Sequence, residues 1–207
     1  MKIVIDGYED LVIAEDEETL GELLTEIEKW IRDNKRIIVQ ARLEGKLLSW
    51  KDRKNIFHRR AGEFKILELF TANLWQWTTN SLNEIRRYLP EIATNMEKTS
   101  LLIQRGDYKN AFSLLDNCIN LWNWVNETLQ KIEKIFALDY TQISLKRGRL
   151  SDKIREFLNP LREANKAIKN GDLLGLSDIL EYELAPRLKE EQEIVREITK
   201  LLKQQMN

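Results

Sequence analysis

The sequence has only one cysteine and one histidine in 207 residues, so it is poor in the side chains that build cross-linked or reactive sites. The single Cys118 excludes an internal disulfide, and the single His58 excludes any site that needs two imidazole groups. The HExxH, CxxC, GxSxG, Walker and GxGxxG motifs are absent as well. These absences argue against the common hydrolase, zinc and nucleotide sites, so we expect no cofactor, no metal site and no enzymatic activity.

Long apolar runs are missing too. No stretch of 18 apolar residues occurs, so the sequence predicts no transmembrane helix and no membrane partner. Residues 1–7 reach a turn and acidic side chains at once, without the apolar stretch of a signal peptide. Together with the single cysteine, this pattern predicts a cytoplasmic protein.

Charge is balanced overall but unevenly distributed. The chain has 33 basic and 34 acidic residues, yet residues 1–34 carry a net charge of -8 and residues 35–65 carry +7. We expect the basic segment to neutralise the acidic one. The alternative is that it binds a nucleic acid or an anionic surface, through Lys51, Arg53, Lys54, Arg59 and Arg60.

The first fifty residues predict a small α+β unit of ββαβ(β) order. A β-branched run at 2–5, a turn at Asp6-Gly7 and a second run at 11–13 precede a helix capped by Asp16. A strand at 36–43 follows, with a fourth strand at 46–48 as an option. This order resembles a β-grasp-like unit. The C-terminal Gly-Gly that sulfur carriers and conjugated modifiers of that fold use is absent, so the resemblance implies a fold and no activity.

From residue 56 onward, every apolar pattern has helical spacing. The patterns predict helices over 56–79, 81 to about 105, 107–137, 150–170 and 172–204. The predicted fold class is therefore α+β, with the small unit at 1–50, a basic linker at 51–65 and an all-α antiparallel bundle of four or five helices at 66–207.

The helical part has an internal repeat. The dipeptides Gly106-Asp107 and Gly171-Asp172 lie 65 residues apart, and each separates two long helical patterns. The repeat units, about 81–137 and 150–205, predict two helical hairpins that pack as a bundle. Residues 106–111 also resemble the turn of a tetratricopeptide repeat, but the spacing differs from the 34-residue unit of that family, so the likeness implies shared turn chemistry only.

Four aromatic or aliphatic side chains lie off the predicted core stripes. On a wheel of about 100° per residue with Cys118 at zero, Trp122 lies on the stripe, whereas Trp124 and Ile135 lie about 100–120° to one side. Phe112 lies about 120° to the other side, and Trp75 flanks the stripe of the 56–79 helix. These four residues are candidates for binding a partner; the alternative is that neighbouring elements cover them.

The leading prediction is a non-catalytic protein–protein interaction module: an adaptor, assembly factor or chaperone-like binder. It would use a groove of the bundle or the off-stripe side chains, and a homodimer would use the same surface. A third hypothesis is an enzyme or metal protein with a carboxylate-only site near Asp178 and Glu181, which share a helix face and could hold a hard cation. Cys118 is interpreted as structural, and Glu191, which falls on a core stripe, is either at a frayed seam or paired with an arginine.

Overall fold

The computed structural model describes residues 1–9, 18–48, 55–139, 141, 143–145 and 148–206. The chain divides into two units, Met1–Thr78 and Thr79–Asn207. Within the described residues, the first unit contains a five-stranded sheet, and the second contains helices and one pair of two-residue antiparallel strands. This arrangement confirms the predicted α+β fold class.

The sheet of the first unit has the strand order β2-β1-β5-β3-β4, with β1 parallel to β5 and the other neighbours antiparallel. Both two-residue turns, Asp6-Gly7 and Glu44-Gly45, have positive φ at both positions, as a tight type I′ hairpin requires. The predicted first and third strands are confirmed, whereas the predicted strand at 11–13 lies outside the described residues. The five strands are β1 (Lys2–Ile5), β2 (Tyr8–Glu9), β3 (Arg36–Leu43), β4 (Lys46–Leu47) and β5 (Ile66–Asn73).

Helix α1 (Leu20–Asp33) packs its apolar stripe into the core of this unit. The N-cap is Thr19 rather than the predicted Asp16, which lies outside the described residues. The hydroxyl of Thr19 accepts a hydrogen bond from the backbone N–H of Glu22, and the Glu22 carboxylate accepts one from the backbone N–H of Thr19. The apolar residues of the helix recur at helical spacing and are all buried: Leu20, Leu23, Leu24, Ile27 and Ile31.

The predicted helix over 56–79 is wrong, because residues 66–73 form strand β5. The spacing of Phe64, Leu67 and Phe70 matches a helix, but burial alternates along the segment, with Leu67 and Leu69 facing the core. Strand β5 lies between β1 and β3 and pairs with both. Without it, both strands would lose these backbone hydrogen bonds, so the tertiary pairing overrides the local pattern.

The second unit consists mainly of long helices. Helix α2 starts directly after β5 and runs through Ser81, so the predicted helix start at Ser81 is wrong. Gly106 and Gly171 have left-handed φ values, and Asp107 and Asp172 cap the helices that follow, so both dipeptides do separate helices. The elements are α2 (Leu74–Gln104), α3 (Tyr108–Ile135), β6 (Ser144–Leu145), β7 (Gly148–Arg149), α4 (Leu150–Asn170), α5 (Leu173–Asp178), α6 (Ala185–Glu190) and α7 (Gln192–Met206).

The single helix predicted over 172–204 is instead divided into segments. A π-helical segment, Ile179–Leu184, connects α5 to α6 and directly precedes the first turn of α6, which contains Pro186. Proline donates no backbone hydrogen bond and clashes with the carbonyl four residues earlier, which lies in the π-helical segment. The chain breaks again at Glu191, between α6 and α7.

The boundary between the units differs from the predicted one. The sequence places the start of the helical part at residue 66, whereas the first unit extends to Thr78 because it includes β5 and the first turn of α2. The antiparallel bundle and its helical-hairpin repeat stay predictions.

Candidate functional site

A cavity of about 380 Å³ lies in the second unit, among residues of α2, α3, α4 and α7. Its walls are mostly apolar, and Leu150, Val195 and Ile198 are almost fully buried there. Leu158 is 43% exposed, so it lies at the solvent side of the cavity. The apolar lining residues are Leu89, Trp122, Leu129, Leu150, Leu158, Leu161, Ile194, Val195 and Ile198.

Glu191 contributes a carboxyl group to this apolar cavity. Its side chain takes part in no hydrogen bond or ion pair within the described residues, so it is not paired with an arginine there. Burial alone raises the pKa of this carboxyl from 4.5 to about 8. The nearby Arg187 instead donates to the backbone carbonyl of Glu156 and lies 3.9 Å from the carboxylate of Glu183. Burial in the cavity therefore favours the neutral form of the Glu191 carboxyl group.

Three further polar side chains line the cavity, all from α3: Asn126, Gln130 and Glu133. The sequence did not point to these three residues as candidate site residues. On the wheel centred on Cys118 they lie at about 80°, 120° and 60°, on the side of Phe112 and away from Trp124. Among the described lining residues no basic side chain occurs, so the cavity carries two carboxyl groups and two amides.

Within the second unit, the predicted partner-binding residues lie on two different sides of α3. Trp124 is half-buried and packs edge-on against Tyr88 of α2, with ring centroids 5.5 Å apart at 88°. Ile135 is half-buried on the same side of α3, while Phe112 is exposed on the other side. Trp75 is half-buried and belongs to the first unit.

Phe112 has exposed apolar neighbours along α3. Tyr108, Phe112 and Ile119 are 47%, 36% and 43% exposed and lie at about 80°, 120° and 100° on the same wheel. We call these three residues the docking stripe. Large exposed apolar side chains on one line of a helix are typical of an interaction surface.

Only part of the predicted basic patch can be described, since Lys51, Arg53 and Lys54 lie outside the described residues. Arg59 pairs with Glu63 at 2.7 Å, and its guanidinium lies 4.6 Å from the centre of the Phe64 ring. The backbone N–H of Arg60 donates to Glu63 as well. The anion-binding role of this segment stays a prediction.

The remaining candidate residues have structural contacts. Cys118 is 2% exposed, and burial raises the pKa of its thiol to about 11. Glu181 accepts hydrogen bonds from Ser100 at 2.7 Å and Gln104 at 3.4 Å, which joins the π-helical segment to α2. Among the described residues, no three His, Cys, Asp or Glu side chains are grouped closely enough to hold a metal ion.

No helix in the described part of the chain is both long and apolar enough to span a bilayer. No solved structure matches the chain. Over 193 residues the chain is 26% identical to a protein of Treponema pallidum (strain Nichols) that carries the name "Uncharacterized protein"; the match covers 90% of this chain and 92% of that protein.

Two family models match, on either side of the boundary at Thr78. Residues 1–73 match the model described as the TP0873 N-terminal domain. Residues 80–194, more than half of the chain, match the model described as a domain of unknown function (DUF8042), and the chain therefore belongs to this family.

Proposed function

We propose that this protein is a non-catalytic protein–protein interaction module, and that its docking stripe receives the apolar face of a helix from a partner protein. The observation that carries the proposal is the exposure of Tyr108, Phe112 and Ile119 along one line of α3. An adaptor, an assembly factor and a chaperone-like binder would all use such a surface. The predicted cytoplasmic location belongs to the same proposal.

The spacing of the docking stripe suits a helical partner. Its first and last residues are eleven positions apart, which corresponds to about 16 Å along the axis of α3. That length matches about three turns of a partner helix, whose apolar side chains recur every three or four residues. The three side chains of the stripe are uncharged, so the burial of apolar surface would contribute to the affinity.

Site-specific photo-cross-linking tests this proposal. Benzoylphenylalanine introduced at Phe112 is expected to form covalent adducts in the source cells with the apolar face of a helix in another protein. The same group at Asn120 is the matched control, because Asn120 is exposed and lies about 160° from Cys118 on the far side of α3. Mass spectrometry of the adducts identifies both the partner and the segment that touches the stripe.

Charge substitution gives a second, independent readout. Phe112→Glu combined with Ile119→Glu should abolish co-purification of the cross-linked partner, whereas Asn120→Glu should retain it. Adducts between two copies of this chain would replace the proposed partner with self-association. Adducts no more abundant at Phe112 than at Asn120 would contradict a docking role for the stripe.

A further inference from the structure

We propose that the cavity among α2, α3, α4 and α7 is a binding site for a small organic cation, an apolar molecule with one ammonium group that pairs with Glu191. The site is independent of the docking stripe, because none of the stripe residues lines the cavity.

The size of the cavity suits a small molecule. Its volume of about 380 Å³ falls within the range of about 300–1,000 Å³ that is usual for ligand pockets. The walls come mostly from leucine, isoleucine and valine side chains and include the indole of Trp122. Gln130 and Leu158 are both exposed, so the cavity can be reached from solvent on their side.

The charges of the lining residues indicate which sign of charge a ligand of this cavity would carry. Glu191 and Glu133 are the acidic residues of the described lining, and no described lining residue is basic, so an anionic ligand would meet no counter-charge there and would be repelled by Glu191 once that group ionises. The guanidinium of Arg187 is engaged by Glu156 and Glu183 rather than by the cavity. A cation is the ligand charge that this lining complements.

Glu191 also has no hydrogen-bond or ion-pair partner within the described residues. A buried polar group without a hydrogen bond is unfavourable, and a carboxylate pairs strongly with a cationic donor. A ligand ammonium would donate to Glu191 and allow the group to ionise. The amide oxygens of Asn126 and Gln130 are further acceptors on the same wall.

Binding should therefore depend on pH. The ammonium group pairs with the ionised form of Glu191, whose pKa is about 8 in the empty cavity, so affinity should fall as the pH drops below that value. Glu133 on α3 is the other titratable group of the described lining; the described lining residues of α2, α4 and α7 are apolar.

Calorimetric titration of the full chain with three matched probes tests the proposal: phenethylammonium, phenethyl alcohol and phenylacetate. At pH 8.5 we expect phenethylammonium to bind at least about tenfold more tightly than the alcohol, and phenylacetate more weakly than either. At pH 6 the affinity for phenethylammonium should be lower by more than about tenfold, with the affinity for the alcohol unchanged.

Two variants complete the test. Glu191→Gln should weaken phenethylammonium binding by about tenfold or more and leave the alcohol unaffected, while Glu127→Gln, an exposed position on α3, should change neither. Far-UV circular dichroism checks that both variants are folded. No binding of phenethylammonium up to about 10 mM, equal binding of all three probes, or an unchanged affinity in Glu191→Gln would overturn the proposal.

Discussion

Glu191 lies where the chain breaks between α6 and α7, with Leu188 and Ile194 buried on either side of it in sequence. The helical stripe already placed this carboxyl on the core side, and the sequence left two explanations open, a frayed seam or an arginine partner. Within the described residues Glu191 has no arginine partner, whereas the chain does break at this residue, between α6 and α7, where the carboxyl group lines the cavity. The neutral acid is tolerated because protonation removes the charge that burial disfavours.

The titration of Glu191 makes a prediction about stability. The folded protein keeps this proton up to about pH 8, whereas the unfolded chain releases it near pH 4.5, so the folded state binds more protons between these values. The contribution of the protonated Glu191 carboxyl to the free energy of unfolding is therefore fully present below about pH 4.5 and is lost as the pH rises through about 8. We expect Glu191→Gln to become progressively more stable than the wild type from about pH 5 to about pH 9, by about 1.4 kcal/mol for each unit of pKa difference.

Urea denaturation followed by tryptophan fluorescence at about pH 5, 7 and 9 measures this difference. Glu127→Gln serves as the matched control, because its side chain is exposed on α3. If the free energies of unfolding of Glu191→Gln and wild type ran parallel across the whole pH range, the carboxyl would not be buried as described.

Helix α1 begins at a capping box formed by Thr19 and Glu22. Thr19 and Glu22 exchange hydrogen bonds, with the Glu22 carboxylate 2.9 Å from the backbone nitrogen of Thr19. These contacts satisfy backbone donors that the first turn of a helix leaves without an intrahelical partner. The sequence analysis predicted Asp16 as the cap of this helix, whereas the structure places the cap at Thr19.

Removing this cap should weaken the first unit. We expect Thr19→Ala to lower the free energy of unfolding by about 1 kcal/mol, because the N–H of Glu22 loses its acceptor. Thr25→Ala is the control, since the Thr25 hydroxyl donates only to the carbonyl of Gly21 within the same helix. Equal effects of both substitutions in urea denaturation would show that the capping box does not stabilise α1.

At the scale of the whole molecule, charge is nearly neutral. The net charge is -1 and the isoelectric point is about 6.1, although the acidic and basic segments of the first 65 residues carry -8 and +7. Near the isoelectric point, long-range repulsion between copies is smallest, and attraction between oppositely charged segments is screened by salt.

Multi-angle light scattering should detect how pH and salt change the association between copies of the chain. We expect a single species near 24.5 kDa at pH 8 and moderate salt, and a rise in average mass at low salt near pH 6 that added salt reverses. A species of twice the monomer mass that persists in salt would indicate apolar self-association and assign the docking stripe to a second copy of the chain.

Several features were predictable from sequence because they depend on near neighbours. The turns at Asp6-Gly7, Glu44-Gly45, Gly106 and Gly171 follow from local backbone preferences, and the stripe of α1 follows from helical periodicity. The buried position of Cys118 followed from the same periodicity on α3. The helical wheel of α3 also places Asn126, Gln130 and Glu133 on the side of Phe112.

Other features depend on contacts between distant residues. The spacing of Phe64, Leu67 and Phe70 fits a helix. The segment is nevertheless a strand, because it provides the hydrogen-bond partners for the backbone groups of β1 on one side and β3 on the other. Trp124 is half-buried because it packs against Tyr88, which lies thirty-six positions earlier in the chain. By itself, the sequence determined the α+β class, the turns and the helix stripes, which arise from interactions within a few residues. The tertiary structure alone decided the place of β5, the cavity and the surroundings of Glu191, because these arise from packing between elements far apart in the chain.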